Sequence, residues 1–321
     1  MDYNYTQAAT SLVGHTLPGG WEVIEAVKRP DSATGGCFSI GYWVKNERNQ
    51  EGFLKAIDLT DVFRSGNKMK KLQEISTAFN FESDLYEHCS GASKVIDMFS
   101  CGEHELEGFP PIANLVFFMV FEKAIGDIRS VHEVNPLVKQ NDYWKLSSLH
   151  NTTLGLEQLH IRNYTHLDLK PSNVLVDVDG ESKVGDLGCA GGAFVKTPRG
   201  DLDTPGDNGY APPECSYLEF SNDNFQKKQA IDCYLLGSLF FFHFCGISAR
   251  SALFKSTMDN GYKLSGIFDN DREWLELAFN ENLMMLKSYF GDYSIELQNL
   301  IISTVSELCH PAPRKRGNIS R

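Results

Sequence analysis

Apolar positions along this chain repeat first at strand period and later at helix period. Over residues 21–56, short β-prone runs alternate with turn residues, which predicts three antiparallel strands. The preceding residues, 1–20, are polar and close on Leu17, Pro18, Gly19 and Gly20, so they read as a leader. Between Lys68 and His88, Leu72, Ile75, Phe79 and Leu85 recur at helical spacing. Strand-like runs return over 94–100 and 113–121, giving a sheet of about five strands with one main helix.

Beyond Glu122 the pattern turns helical, with helices predicted over 142–160, 228–244, 274–290 and 295–308. Residues 165–214 carry no long helical period. Strands first and helices later imply an α+β chain of two lobes with a cleft between them. The expected organisation is a leader over 1–20, a small β-rich lobe over 21–120, a hinge over 121–127 and a larger, mainly helical lobe over 128–321. Two apolar runs, 112–121 and 234–247, fall short of the roughly 20 residues that cross a bilayer. They read as a buried strand and a buried helix, and no membrane partner is expected.

Composition then works by exclusion. With 321 residues, 42% hydrophobic and 22% charged, the chain can bury a core without metal or disulfide staples. A net charge of -12 argues against duplex nucleic acid as a partner, since that binding rests on clustered Lys and Arg. Arg314, Lys315 and Arg316 form the one compact basic run. Eight cysteines without a C-x-x-C pair suggest reduced thiols and a cytoplasmic setting rather than zinc or disulfides. The polar start has no positive region followed by an apolar stretch, so export is not expected. Nothing in the sequence specifies an oligomeric state.

The candidate chemistry concentrates in His166-Leu167-Asp168-Leu169-Lys170-Pro171-Ser172-Asn173, followed by the apolar run 174–176. Phosphoryl transfer needs a carboxylate to orient the acceptor hydroxyl, a cation near the transferred group and an oxygen ligand for a metal. Asp168, Lys170 and Asn173 supply these three in one loop. Further on, Asp186 stands between Gly185 and Leu187-Gly188, where a sharp turn presents one carboxylate to Mg²⁺. A lone Asp or Asn in a loop is ordinarily a turn residue, so the weight lies in their joint spacing.

These segments, in this order, resemble the eukaryotic-type serine/threonine protein kinase family over roughly residues 21–316. The resemblance implies a bilobal kinase fold with ATP and Mg²⁺ as cofactors, Mn²⁺ as a substitute metal, and a protein substrate with a Ser or Thr acceptor. It makes Asp168 the catalytic base, Lys170 the phosphate-contacting lysine, and Asn173 and Asp186 the metal ligands; His166 is left to a structural role. Residues 34–41 resemble the glycine-rich loop over the ATP phosphates, with Gly35, Gly36, Phe38 and Ser39 as contacts. Lys55 follows at the spacing of the phosphate-binding lysine. Its carboxylate partner is taken as Glu82, with Glu87 in reserve and Glu74 also on the helix. Phe121 falls at the gatekeeper position, and backbone groups of Glu122 and Ala124 would read the adenine edge. Glu214 is expected to pair with Arg316, and Asp232 to cap the catalytic-loop backbone.

Several positions depart from the family pattern. Leu167 replaces an arginine that usually receives a phosphorylated activation loop, so activity without phosphate on Thr197 or Thr204 is expected. Asp207 stands where a hydroxyl usually bridges the catalytic aspartate and lysine; either it pairs with Lys170 or Thr204 takes the bridging role. Phe53 and Gly41 replace Ala and Val of the adenine roof, a volume exchange in which Gly41 makes room for the ring. Leu187 keeps the apolar packing of the usual phenylalanine. Cys189 reads either as an accessible thiol near the metal or as an inert buried one. Two other readings remain, a pseudokinase scaffold and a small-molecule kinase of the same fold. The intact Lys55, Asp168, Asn173 and Asp186 set speaks against the first. The Lys170-Pro171-Ser172-Asn173 and Pro212-Pro213-Glu214 segments speak against the second.

Overall fold

Alternating apolar residues in the first third of the chain build a six-stranded antiparallel sheet. The computed structural model describes residues 7–28, 39–200, 202, 205–217 and 225–317. Two compact units make it up, Met1–Ala92 with Ile96–Ile125, and Ser93–Val95 with Gly126–Arg321.

In the first unit the strands are β1 (Thr16–Leu17), β2 (Trp21–Ala26), β3 (Ser39–Asn46), β4 (Glu51–Ile57), β5 (Met98–Glu105) and β6 (Leu115–Glu122), in the order β1-β2-β3-β4-β6-β5. Helices α1 (Thr60–Arg64) and α2 (Lys68–His88) lie between β4 and β5 in the chain. The period-two rule sorts β6 into two faces. Val116, Phe118 and Val120 join a cluster with Tyr42, Val44, Leu54 and Ala56. Phe117 and Phe121 face the other way and meet α2, with ring centroids 5.2 Å from Phe79 and 4.9 Å from Tyr86 respectively. Both faces of β6 are therefore covered, which is why its sequence is a continuous apolar run rather than an alternation.

Two expectations are corrected here. Residues 8–17, read as part of a leader, belong to the core: Ala8, Ala9, Leu12 and Leu17 are buried in the same cluster, and β1 extends the sheet by one strand. Apolar residues scattered among polar ones carry no period, so the sequence pattern missed them. The strand expected over 94–100 begins instead at Met98, because residues 93–95 belong to the second unit, where Val95 bridges Val184 in parallel.

The second unit opens with β7 (Gly126–Asp127), α3 (Ile128–Val134), α4 (Pro136–Gln140) and α5 (Asp142–Ile161). Short strands follow: β8 (Tyr164–Thr165), β9 (Val174–Val176), β10 (Ser182–Val184) and β11 (Gly191–Gly192), paired as β10-β9-β7 and β11-β8. Helices α6 (Pro213–Ser216), α7 (Phe225–Cys245), α8 (Ala249–Asp259), α9 (Phe268–Ser288) and α10 (Ile295–Leu308) complete it. Asp127 caps α3, its side chain accepting from Ser130 N at 2.8 Å while the Ser130 hydroxyl accepts from Asp127 N. Helices α3, α4 and α8 were not foreseen; α8 buries only Ala249, Ala252, Leu253 and Thr257, too sparse a stripe to read. Among the described residues no single helix is long and apolar enough to cross a membrane, and α7 buries most of its length.

The C-terminal end of the unit is tied down by one guanidinium. Arg316 donates from Nη1 and Nη2 to the two Glu214 oxygens at 2.6 and 2.8 Å. Its other N–H groups reach the carbonyls of His310, Ala230 and Pro311, so all five donors are satisfied, and the plane covers Tyr234 at 4.9 Å. Removing one partner of a buried, fully bonded pair leaves a charge without a counterpart. We expect Arg316→Met to cost about 3–5 kcal/mol of stability, measured by urea unfolding, and Arg316→Met with Glu214→Leu to regain much of it.

Candidate active site

A buried aspartate shapes the loop that carries the chemistry. Asp232 on α7, with no exposed surface, accepts from the backbone N–H groups of His166 and Leu167, each at 2.8 Å. His160 Nε2, at the end of α5, approaches the same carboxylate at 2.8 Å. Held this way, Leu167 takes a left-handed backbone conformation, φ 62°, that a branched residue adopts only under constraint. Its side chain fills the space beside Gly191 and the stem of Lys228. His166 accepts from Asp168 N through Nδ1 at 3.2 Å, so its Nε2 carries the proton and donates to Gly185 O at 2.9 Å. His166 is thus a structural link between the loop and the segment that leads to Asp186.

Asp168 is the convergence point. Its Oδ1 accepts from Asp207 N at 2.7 Å, and Asn173 Nδ2 donates to Asp168 O at 2.8 Å and to Oδ2 at 3.1 Å. Lys170 Nζ lies 3.1 Å from Asp168 Oδ2 and 3.4 Å from Asp207 Oδ2. Of the two options for Asp207, the pairing with Lys170 is the one present; Thr204 lies outside the described residues. Gly206, φ 75°, permits this approach, since a Cβ there would stand 2.5 Å from Leu167 O and 2.7 Å from Asp168 Oδ1. Burial pushes the Asp168 carboxyl up; Lys170 pulls it back and the nearby Asp186 carboxylate pushes it up again. Burial opposes the Lys170 charge, but Asp168, with help from Asp207 and Asp186, outweighs it and holds the ammonium above its ordinary value.

Asp186 follows β10 through Gly185, whose N–H donates to Asn173 O at 2.9 Å, and sits at φ 56°, a conformation Asp tolerates. The donor set suits a hard divalent cation. Asn173 commits its amide hydrogens to Asp168, leaving Oδ1, which accepts from the Ser172 hydroxyl at 3.3 Å, as the oxygen it could offer a metal, and the Asp168 and Asp186 carboxylates repel one another. Among the described residues no cluster of three His, Cys, Asp or Glu forms a closed metal cage. The Asp186 carboxylate and the Asn173 amide oxygen fit a metal that takes its remaining oxygens from outside the chain. Cys189 beside them is half-buried, and burial together with the Asp168 and Asp186 carboxylates pushes its thiol up to about 12. It is the inert reading of this cysteine that the structure supports.

In the first unit, Lys55 on β4 stands across from Gly41 on β3 and Met119 on β6. Its Nζ is 2.7 Å from Glu82 Oε1 on α2. The other two glutamates of that helix are engaged elsewhere, Glu74 with Lys71 and Glu87 near Cys101. Phe121 is buried against Tyr86, and Glu122 binds Asp97 through both backbone N–H and side-chain Oε1, each at 2.9 Å. Ala124 follows β6 half-buried, and Ser39 opens β3 opposite Ile57. Gly35, Gly36 and Phe38 lie outside the described residues.

Sequence reasoning missed His160, the third group on Asp232. Nothing local marks it, because its role comes from the meeting of α5 and α7.

Comparison with known proteins gives a consistent picture. The family model described as the protein kinase domain matches residues 44–320. Over 88 residues the chain is 39% identical to the mitosis inhibitor protein kinase wee1 of Schizosaccharomyces pombe, covering 27% of this chain and 10% of that protein. Over 71 residues it is 41% identical to the mitosis inhibitor protein kinase mik1 of the same yeast, covering 22% and 11%. Over 171 residues it is 29% identical to mitogen-activated protein kinase 15 of Oryza sativa subsp. japonica, covering 49% and 33%. The matched segments span about a third or less of these relatives' lengths.

Gly41 and Phe53 form a fitted pair: a Cβ at Gly41 would sit 2.8 Å from the Phe53 ring. Gly41→Val should therefore overpack the sheet by about 1–3 kcal/mol, and adding Phe53→Ala should recover most of that loss. Thermal melts of the four proteins in this cycle decide it, and simple additivity would show that the two positions are not coupled.

Proposed function

The chain belongs to the protein kinase domain family, and from that premise we propose that it transfers the γ-phosphoryl group of ATP to a serine or threonine hydroxyl of a protein substrate, and to its own hydroxyls. The single observation that supports this reading most is the Asp168 cluster, in which a raised, oriented carboxylate stands 3.1 Å from a charged lysine. Asp168 takes the proton of the acceptor hydroxyl, with Asp207 N and the Asn173 amide holding it in orientation. Lys170 neutralises charge on the group in transfer, and Asp207 keeps that ammonium near Asp168.

Asp186 and Asn173 would hold Mg²⁺, or Mn²⁺ in its place, which would neutralise phosphate charge. Lys55, braced by Glu82, serves the α- and β-phosphates. Backbone groups of Gly35, Gly36, Phe38 and Ser39 would cover the phosphates, and those of Glu122 and Ala124 would meet adenine. The names of the relatives, all protein kinases, favour a protein acceptor over a small molecule. The seven described cysteines are free thiols, in keeping with work in the reducing cytoplasm.

Incubation with radiolabelled ATP and generic protein substrates tests the reading. Asp168→Ala should lose phosphoryl transfer by about 100-fold or more while still binding nucleotide; equal labelling by the two proteins would discard the assignment. The packing of Leu167 against Gly191 gives a second test, because an apolar side chain there offers no charge to a phosphorylated loop. Phosphatase-treated protein should keep its full rate. An inactive treated sample that recovers on phosphorylation would contradict that expectation.

A further inference from the structure

Gln7 lies outside every motif, yet it is one of the most completely buried polar side chains, 1% exposed. Its amide is matched, atom by atom, to three consecutive residues that join β4 to α1. Nε2 donates to Asp58 Oδ1 at 2.6 Å and to Thr60 Oγ1 at 3.1 Å, and Oε1 accepts from Leu59 N at 2.8 Å. Asp58 Oδ1 also accepts from Thr60 N at 2.8 Å, so the joint is closed on itself as well as on Gln7.

The residues after Gln7 anchor it to the sheet. Ala8 N donates to Ala113 O at 2.7 Å, just ahead of β6, and the Tyr42 hydroxyl on β3 donates to Ala9 O at 2.8 Å. Ala8 and Ala9 are themselves core residues. The strands reached this way, β3 and β6, are the two neighbours of β4 in the sheet, and β4 carries Lys55. The joint that Gln7 clamps begins three residues after Lys55 and leads through α1 into α2, which carries Glu82.

We infer that Gln7 is a positioning residue for the reaction: it holds the β4–α1 joint so that Glu82 on α2 meets Lys55 on β4 at 2.7 Å. A buried amide with three hydrogen bonds costs stability when truncated, as any core residue would. A positioning role makes a narrower claim. Loosening the joint lets the carboxylate withdraw from the lysine, and the lysine then orients phosphates less well without losing the rest of the nucleotide site. This step rests on the phosphotransferase reading given above.

The test uses the full chain with Gln7→Met, which keeps volume and removes the amide, at a temperature well below its melting point. Expected is a fall in kcat of about 10-fold with the KM for ATP changed less than about 2-fold. In a Glu82→Gln background the same substitution should cost less than about 2-fold more, because the pair it serves is already gone. In the nucleotide-free protein, hydrogen exchange should quicken over residues 58–62 and 79–88. An unchanged kcat, a full 10-fold loss repeated on top of Glu82→Gln, or unaltered exchange in both segments would overturn the inference. A wild-type chain that transfers no phosphate would instead refute the functional reading, and the exchange measurement would still decide whether Gln7 holds the joint.

Discussion

A carboxylate with no access to water must find its hydrogen bonds inside the protein, and Asp232 finds them in the loop that does the chemistry. Two consecutive backbone N–H groups converge on it, which is possible only if the chain turns sharply at Leu167. That turn sends the next side chain, Asp168, away from α7 and into the company of Lys170 and Asn173. His166 carries the constraint onward, since its ring bonds both Asp168 N and Gly185 O and thereby ties the Asp168 loop to the segment that leads to Asp186. The turn of the Asp168 loop thus follows from where Asp232 is buried.

The charge balance of that site follows from the same convergence. Asp168, Asp186 and Asp207 all act on the Lys170 ammonium, so three carboxylates crowd one another around it. An isolated cluster of that kind is unfavourable in a buried setting, and its most economical relief is a cation shared with phosphate oxygens. Asp207 does not simply add to the repulsion. Its side chain faces Lys170 while its N–H supports Asp168, so one residue restrains both members of the pair.

What could be read from the sequence was what the chemistry confines to short spacing. The catalytic loop and the Asp186 turn were legible because their roles need several residue types within a few positions. The choice of Glu82 over Glu74 and Glu87 leaned on its gap to the next strand, similar to that in the resembled family, and on its apolar neighbours, and Glu82 is the one that meets Lys55. Long, strongly periodic elements such as α2, α5 and α10 also came through, to within a residue or two. Illegible were contributions made by tertiary meeting alone. His160 reaches Asp232 from another helix, and residues 8–17 join the sheet through scattered apolar side chains with no period of their own. The polarity of Gln7, a poor core residue by composition, became informative only once three partners from the β4–α1 joint surrounded it.

The positions where this chain departs from the family pattern are matched by partners. Phe53 brings an added ring, and Gly41, its diagonal neighbour across β3 and β4, lacks the Cβ that would strike it. Leu167 brings an apolar side chain, and Gly191 and the Lys228 stem provide the surface that receives it. Asp207 brings a negative charge, and Lys170 stands within reach of it. Unconstrained drift in a disused site would leave cavities, clashes or unpaired charges, because no requirement would link one substitution to the next. Three departures, each matched by a fitting neighbour, instead indicate repacking around a geometry that had to be kept. The geometry kept is that of the Lys55–Glu82 pair and the Asp168 cluster, the two arrangements on which phosphoryl transfer would depend.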